Sequence, residues 1–131
     1  MPSVSTDSAQ DVKDYGQVLE RTSVLDGYAV NFVTFRDDAD ITGILAGLSE
    51  GKCICPHWGY LFQGEISVAY DTGQQETFGA GHAFYTPAGH TSWRAAAGTE
   101  ILMFSPADLL AEVEAAITTM MEASAATHAQ D

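Results

Sequence analysis

Short runs of alternating apolar and polar residues extend through most of this chain, and the period changes near its C terminus. Residues 28–35 (YAVNFVTF) form a β-branched and aromatic run that is typical of a strand. Residues 66–70 alternate apolar side chains with small or polar ones, which is the two-residue period of a half-buried strand. Many short strands at this spacing favour a sandwich or a barrel.

Turn residues divide the second half of the chain into further short β segments. Gly, Pro, Asp and Thr cluster between most of these segments, as expected for tight turns. The acidic run at residues 37–40 ends the earlier strand, and residues 41–48 fit either a strand or a short helix. The predicted strands of the second half are residues 52–56, 60–63, 66–70, 75–78, 83–86, 91–94 and 100–104.

The apolar period becomes helical after residue 105. Ser105 is a candidate N-cap, Pro106 suits the first helical position, and Asp108 lies in the first turn. We therefore predict a C-terminal helix over residues 106–123 whose apolar stripe lies on the barrel or on a partner subunit. The stripe consists of Leu109, Leu110, Val113, Ala116, Ile117, Met120 and Met121.

The length of 131 residues suits one domain with its own hydrophobic core. The chain has no internal repeat and no shift in composition that would mark a domain boundary. Residues 1–14 are polar and lack a periodic apolar pattern, so we predict a flexible N-terminal arm there. The single domain is predicted over residues 15–123, followed by a disordered tail at residues 124–131.

The charge of the chain excludes several classes of partner. Eighteen acidic residues against five basic ones give a formal net charge of −13. Phosphates repel such a surface, which argues against nucleic acid and against an anionic membrane as partners. The sequence has neither an apolar run long enough to span a membrane nor a basic and apolar signal segment at its start. We predict a cytoplasmic protein in which Cys53 and Cys55 are thiols.

Two glycine-containing frames carry the candidate chemistry. In the first, His57 is followed after six residues by Gly64. In the second, Gly81 is followed after five residues by Pro87-Ala-Gly89-His90. Histidines on consecutive β segments can lie at one side of a small barrel, where they bind a metal ion or form a hydrogen-bonded pair without metal. The frames alone leave both interpretations open.

Both frames resemble those of a small single-domain cupin. The first motif of that family ends in a metal-binding Glu, six residues and Gly, and the second reads Gly, five residues, Pro-x-Gly-x-x-His. The close resemblance covers residues 51–104. It implies an all-β fold, the double-stranded β-helix or jelly-roll barrel, here with a C-terminal helix. It also implies a homodimer, which the frequency of symmetric dimers favours as well.

The metal-ligand positions of the family are changed in this chain. His57 stands at the Glu position, and the preceding His-x-His pair falls on residues 51 and 53 or on residues 50 and 52. Ser92 occupies the last His position, and His90 lies two residues earlier. Because side chains alternate along a strand, we expect His90 and Ser92 to face the same way.

We therefore predict a metal site formed by Cys53, His57 and His90, with Cys55 or Glu50 as alternatives for a fourth ligand. A thiolate and two imidazoles suit zinc, iron or copper better than magnesium or calcium. Three protein ligands leave one coordination position open, as catalytic sites require.

Three further residues are expected to border that site. Gly59, two residues after His57, is expected to leave room for a ligand. Arg94 is expected to share the face of His90 and to bind a substrate carboxylate. Tyr85 is a candidate acid, base or substrate contact.

The resemblance implies several kinds of function for such a site. One is a metal-dependent enzyme that acts on a small molecule as a dioxygenase, isomerase, lyase or cyclase. The alternatives are a non-catalytic small-molecule-binding module and a structural dimer without metal. The structural alternative predicts a filled barrel with no pocket near His57, and the sequence does not choose among the reactions.

Overall fold

The computed structural model describes residues 3–41, 45, 47–48 and 53–116. Within these residues the chain forms β-strands, and every pair of neighbouring strands is antiparallel. The strands are β1 (Asp11–Asp14), β2 (Val18–Leu25), β3 (Tyr28–Phe35), β4 (Ala39–Asp40), β5 (His57–Gln63), β6 (Glu65–Tyr70), β7 (Gln75–Gly79), β8 (Ala83–Thr86), β9 (His90–Ala95) and β10 (Glu100–Pro106).

The strands form two sheets that share one core. The larger sheet has the order β1-β2-β3-β10-β5-β8, and the smaller one has the order β4-β9-β6-β7. Phe35 of the larger sheet contacts Trp93 of the smaller one, with ring centroids 5.6 Å apart. The predicted all-β class is confirmed, and residues 28–35 form the strand that their composition predicted.

Gly64 connects β5 to β6, and its position leaves no room for a side chain. Its φ of 87° lies in the left-handed region that favours glycine. A Cβ added there would lie 2.1 Å from the Thr99 Oγ1 atom. The buried Thr99 hydroxyl in turn accepts a hydrogen bond from the Glu65 amide at 3.1 Å. This tight junction explains why the first frame ends in glycine.

The C-terminal helix, α1, follows β10 without a loop. Helical residues begin at Ala107 and continue to residue 116, the last described residue. Val113 is buried in the core, and Leu109 and Leu110 pack against it. The predicted start at residue 106 is wrong by one position because Pro106 still pairs with Tyr28 in the larger sheet. The predicted helix end and tail lie outside the described residues.

Three other sequence predictions change in the structure. Residues 1–14 were assigned to a flexible arm, but Asp11–Asp14 pair with β2 as an edge strand. Its half-exposed position explains why no apolar period marks it. Of the predicted strand at residues 52–56, the described part, residues 53–56, forms only a single bridge at Cys53, since Pro56 cannot donate to a ladder. Of the ambiguous residues 41–48, Leu45 is helical, and most of the others lie outside the described residues.

In the part of the chain that the structure describes, no helical stretch combines the length and the apolar character that crossing a bilayer requires.

Candidate metal centre

The structure brings together the three side chains that the sequence predicted as metal ligands. Cys53, His57 and His90 each offer a ligand atom, and these atoms lie within 4.8 Å of one another. The imidazole centroids of His57 and His90 are 5.3 Å apart. The exposed fraction of the three residues is 3%, 7% and 1%, respectively. They therefore form a compact cluster that is shielded from water.

Backbone pairing places two of these residues opposite each other. The Cys53 amide donates to the His90 carbonyl at 2.9 Å, and the Gly89 amide donates to the Cys53 carbonyl at 2.8 Å. His90 also pairs with Tyr70 on the neighbouring strand. Cys53 thus reaches the cluster through one bridge to β9, although its own segment is not a strand.

A β-bulge at Thr91 decides which residues of β9 face the core. Ala69 pairs with Ser92, but the next residue, Tyr70, pairs with His90, so Thr91 is the extra residue. A bulge of this kind reverses the alternation of side chains. His90 and Trp93 are therefore buried on the inner face. The prediction that His90 and Ser92 face the same way is wrong for this reason.

The same bulge places Arg94 on the outer face of the smaller sheet. Arg94 is exposed and pairs with Ser67 and Asp40 on the two neighbouring strands. It borders an open cavity of about 390 Å³ whose wall includes Asp38 and Glu65. None of the three predicted ligands lines this cavity. The expectation that Arg94 shares the face of His90 is wrong.

The space beside Gly59 is occupied by an aromatic ring. A Cβ added at Gly59 would lie 2.5 Å from Phe84 Cζ and 2.4 Å from the Leu102 carbonyl oxygen. Phe84 itself stacks on Phe78, with centroids 5.5 Å apart. Glycine is required here so that the Phe84 ring can cross β5, and the expectation that Gly59 leaves room for a ligand is wrong.

Of the two tyrosines near the cluster, Tyr70 rather than the predicted Tyr85 is buried beside His90. Tyr85 is 47% exposed and stacks on Trp58 on the outer face of the larger sheet. Tyr70 is buried, lies opposite His90, and donates a hydrogen bond to Glu76 at 2.8 Å. Sequence reasoning missed Tyr70 because the 66–70 alternation shows that it is buried but does not reveal its partner strand.

Burial sets the protonation of the cluster. It lowers the pKa of His57 to about 3, with a smaller contribution from the charge of His90. Burial also lowers the pKa of His90, against the opposing effect of its hydrogen bond to the Pro87 carbonyl. Both imidazoles are therefore neutral at physiological pH, which is the form that binds metals.

The thiol of Cys53 behaves differently. Burial raises its pKa, and the hydrogen bond to the Cys55 backbone only partly opposes this effect. A metal ion would have to displace the thiol proton, as metals do when they bind cysteine. The donor set fits a transition metal or zinc on these grounds. In a tetrahedral site with bonds of about 2.0–2.3 Å, ligand atoms lie roughly 3.3–3.8 Å apart, so modest side-chain rotation would close this cluster.

Of the other candidate ligands, Cys55 is not a member of the cluster. Cys55 is fully buried, but its sulfur contacts the Pro56 carbonyl at 3.6 Å and the Ser105 hydroxyl. Burial, followed by the charge of Cys53, raises the pKa of Cys55 to about 12. His82 is an exposed residue whose ring nitrogen contacts the Gly79 carbonyl at 3.1 Å. Glu50 lies outside the described residues.

Comparisons with known proteins identify the fold. No protein-family model and no curated protein matches the chain. Among solved structures, KdgF from Halomonas sp. is 20% identical, with a TM-score of 0.54 over 81% of this chain and 94% of that chain. An RmlC-like cupin from Shewanella frigidimarina NCIMB 400 is 19% identical, with a TM-score of 0.55 over 81% of this chain and 92% of that chain.

An ectoine synthase from P. lautus has a TM-score of 0.58 at 12% identity, over 81% of this chain and 78% of that chain. At such low identities the likeness concerns the fold alone. Together with the two antiparallel sheets, these similarities confirm the predicted jelly-roll fold of the cupin type.

Proposed function

We propose that this chain, which has the cupin fold, binds a transition metal or zinc through Cys53, His57 and His90 and uses it to bind or transform a small molecule. One observation carries the proposal: three buried side chains from separate segments present ligand atoms within 4.8 Å of one another. Each imidazole uses one ring nitrogen in a hydrogen bond, to Ser105 or to Pro87, which leaves its other nitrogen to bind a metal. Sulfur and nitrogen ligands of this kind are those that zinc and transition metals prefer.

The proposed chemistry follows from the number of ligands. Three protein ligands leave a fourth position for water or a small molecule. A metal held by the three residues would polarise a carbonyl as a Lewis acid or activate water. Tyr70 is the buried tyrosine opposite His90 in the sheet register, and its hydroxyl donates to Glu76. Because of this position we assign the contact with the small molecule to Tyr70. Arg94 and Tyr85 have no part in this assignment because both lie on outer faces.

A non-catalytic role is the second candidate, and one observation favours it. The Phe84 ring fills the space next to Gly59 that a substrate beside the metal was expected to occupy. A metal-binding or structural protein requires no such space. An enzyme turns over a substrate, and a non-catalytic protein does not. The enzyme and a metal-dependent binding module both require the metal. Metal content is therefore the first property to test.

We expect the purified, chelator-treated protein to bind about one equivalent of Zn(II) or Co(II) per chain. The Co(II) form should show a sulfur-to-metal charge-transfer band in the near ultraviolet because Cys53 supplies a thiolate. Elemental analysis and absorbance titration measure both properties. His57→Ala and His90→Ala should lose the bound metal, and His82→Ala is the control because His82 is exposed. Absence of binding after addition of Zn(II), Fe(II), Mn(II) or Cu(II) would refute the proposal.

The proposal includes a reducing compartment such as the cytoplasm. Both cysteines are free and buried, and Cys53 can bind a metal only as a reduced thiol.

We also propose that the chain is a homodimer that buries an exposed aromatic face. We define the aromatic face as five side chains on the outer side of the larger sheet. They lie on β8, β5 and β10, which are adjacent strands. Each is 39–50% exposed and none carries a charge. The aromatic face consists of Trp58, Tyr60, Phe62, Tyr85 and Phe104.

The area and the charge of this face suit a second copy of the chain. At about 200 Å² per aromatic side chain, these exposures give roughly 400 Å² per copy, half of what one partner contributes to a standard interface. The neighbouring surface would supply the remainder. Two chains with a net charge of −13 repel each other, so a contact between them requires an uncharged face.

Substitution of two residues at the centre of the aromatic face should dissociate the dimer. We expect Trp58→Ser with Phe104→Ser to weaken self-association at least 100-fold, since buried aromatic residues dominate interface energetics. Sedimentation velocity over a concentration series measures the change. Tyr15→Ser is the matched control because Tyr15 is 61% exposed and lies outside the face. A parent protein that stays monomeric at every concentration would contradict this proposal.

A further inference from the structure

The hydroxyl of Ser105 is buried against a ring nitrogen of His57. Its oxygen lies 2.6 Å from His57 Nδ1, and Ser105 has no exposed surface. The strand register produces this contact. Phe104 pairs with Trp58 in an antiparallel ladder, so the residue after Phe104 lies opposite the residue before Trp58. The sequence suggested instead that Ser105 caps α1, but its side chain is engaged by His57.

The direction of this hydrogen bond follows from a chain of contacts. The Cys55 sulfur lies 3.6 Å from the Pro56 carbonyl oxygen, which can only accept, so the thiol donates there. The Ser105 hydroxyl contacts the same sulfur and can donate its hydrogen to it. The Ser105 oxygen is then left to accept a hydrogen bond, and His57 Nδ1–H is the donor within reach.

His90 is held in the corresponding way by the backbone. Its Nδ1 lies 3.3 Å from the Pro87 carbonyl oxygen, so Nδ1 must carry the hydrogen and donate it. The two histidines therefore share one arrangement, in which Nδ1 donates a hydrogen bond and Nε2 keeps its lone pair. A metal-bound histidine is generally oriented by a hydrogen bond of this kind from its other ring nitrogen.

We propose that Ser105 is a positioning residue that fixes His57 in the Nδ1–H tautomer, so that the Nε2 lone pair is available to the cluster. The importance of this role for metal binding rests on the function proposed above. The tautomer itself does not, because the hydrogen bonds that set it are present in the protein without metal. Cys55 takes part as the acceptor for the Ser105 hydroxyl, which explains why a second buried thiol lies beside the cluster without belonging to it.

The tautomer is measurable directly by NMR in metal-free, ¹⁵N-labelled protein at neutral pH. Long-range ¹H–¹⁵N correlations distinguish Nδ1–H from Nε2–H imidazole, and comparison with His57→Gln assigns the signals of His57. We expect the Nδ1–H form in the parent and a shift toward Nε2–H in Ser105→Ala. Ser105→Thr, which keeps the hydroxyl, should restore the parent signal.

Metal affinity provides the second measurement, by competition with a chromophoric chelator. We expect Ser105→Ala to weaken Zn(II) binding about 10–100-fold, as loss of an orienting partner does. Ser105→Thr should recover most of that affinity. Ser23→Ala is the matched control, because Ser23 is a buried serine of the same sheet whose hydroxyl accepts from the Gln10 amide.

The outcomes separate this inference from the proposed function. An Nε2–H tautomer of His57 in the parent overturns it, even if Ser105→Ala does not fold. A folded Ser105→Ala with unchanged tautomer and unchanged affinity also overturns it. An Nδ1–H tautomer that changes with Ser105 in a protein that binds no metal supports the inference and refutes the metal site.

Discussion

Saturating zinc is expected to raise the melting temperature of the metal-free protein by about 10–20 °C. A ligand that binds only the folded state stabilises it by about 4 kcal/mol when its concentration is 1,000 times its Kd. For a domain of this size, each kcal/mol corresponds to roughly 3–5 °C. The folded chain already holds Cys53, His57 and His90 together, whereas the unfolded chain holds them apart. Scanning calorimetry with and without zinc measures the shift.

Variants of the cluster should reduce the zinc-dependent shift in a defined order. His90→Ala removes the proposed ligand that pairs with both Cys53 and Tyr70, and it should abolish the shift. Cys53→Ser leaves a poorer donor and should keep less than half of the shift. Cys55→Ser should keep nearly all of it, because Cys55 lies outside the cluster and a serine hydroxyl can still accept the Ser105 hydrogen. An equal shift in the parent and in His90→Ala would show that zinc stabilises the protein at another place.

The sequence predicted the fold well because local signals agree with the tertiary structure. Residues 28–35 form a strand over their whole length, and residues 83–86 do so as well. Glycine frames mark turns that only glycine satisfies, as at Gly64, where Thr99 occupies the space of a side chain. Edge strand β1 escaped prediction because an exposed edge requires no apolar period.

The sequence placed the three candidate ligands close together, but it misplaced the residues whose orientation depends on strand register. Cys53, His57 and His90 were proposed from their places in frames that resemble the cupin motifs, and the fold brings them together. Arg94 was misplaced because one bulge at Thr91 reverses every side chain after it. A single sequence shows strand periodicity but does not reveal where a strand gains an extra residue.

The positions of Tyr70 and Ser105 beside the two histidines were missed for a related reason. Both are ordinary core residues by local pattern, and each meets its histidine through pairing with a distant strand. Tyr70 lies opposite His90, and Ser105 lies 48 residues from His57 along the chain. The groups that surround the three clustered residues are thus harder to predict than the cluster itself, because no short motif connects them.

Acidification is expected to destabilise the metal-free protein through its buried histidines. The ordinary pKa of 6.5 applies to His57 in the unfolded chain, and burial lowers its pKa to about 3 in the folded one. Between these values the unfolded state binds more protons, so the free energy of unfolding falls as the pH falls. His57 alone should account for a loss of about 3 kcal/mol between pH 7 and pH 4. His90, whose pKa is also lowered, adds to the loss.

A difference between two proteins isolates this contribution from that of the acidic residues. Glu20 acts in the opposite direction, because burial and the neighbouring Glu114 raise its pKa and its protonation relieves a cost. We therefore compare urea unfolding of the parent and of His57→Gln, both in chelator, at several pH values. The parent should lose about 3 kcal/mol more than the variant between pH 7 and pH 4. Parallel pH profiles would mean that His57 accepts a proton as readily in the folded chain as in the unfolded one. Metal binding by His57 requires that its imidazole stay unprotonated, because a proton and a metal ion bind to the same nitrogen lone pair.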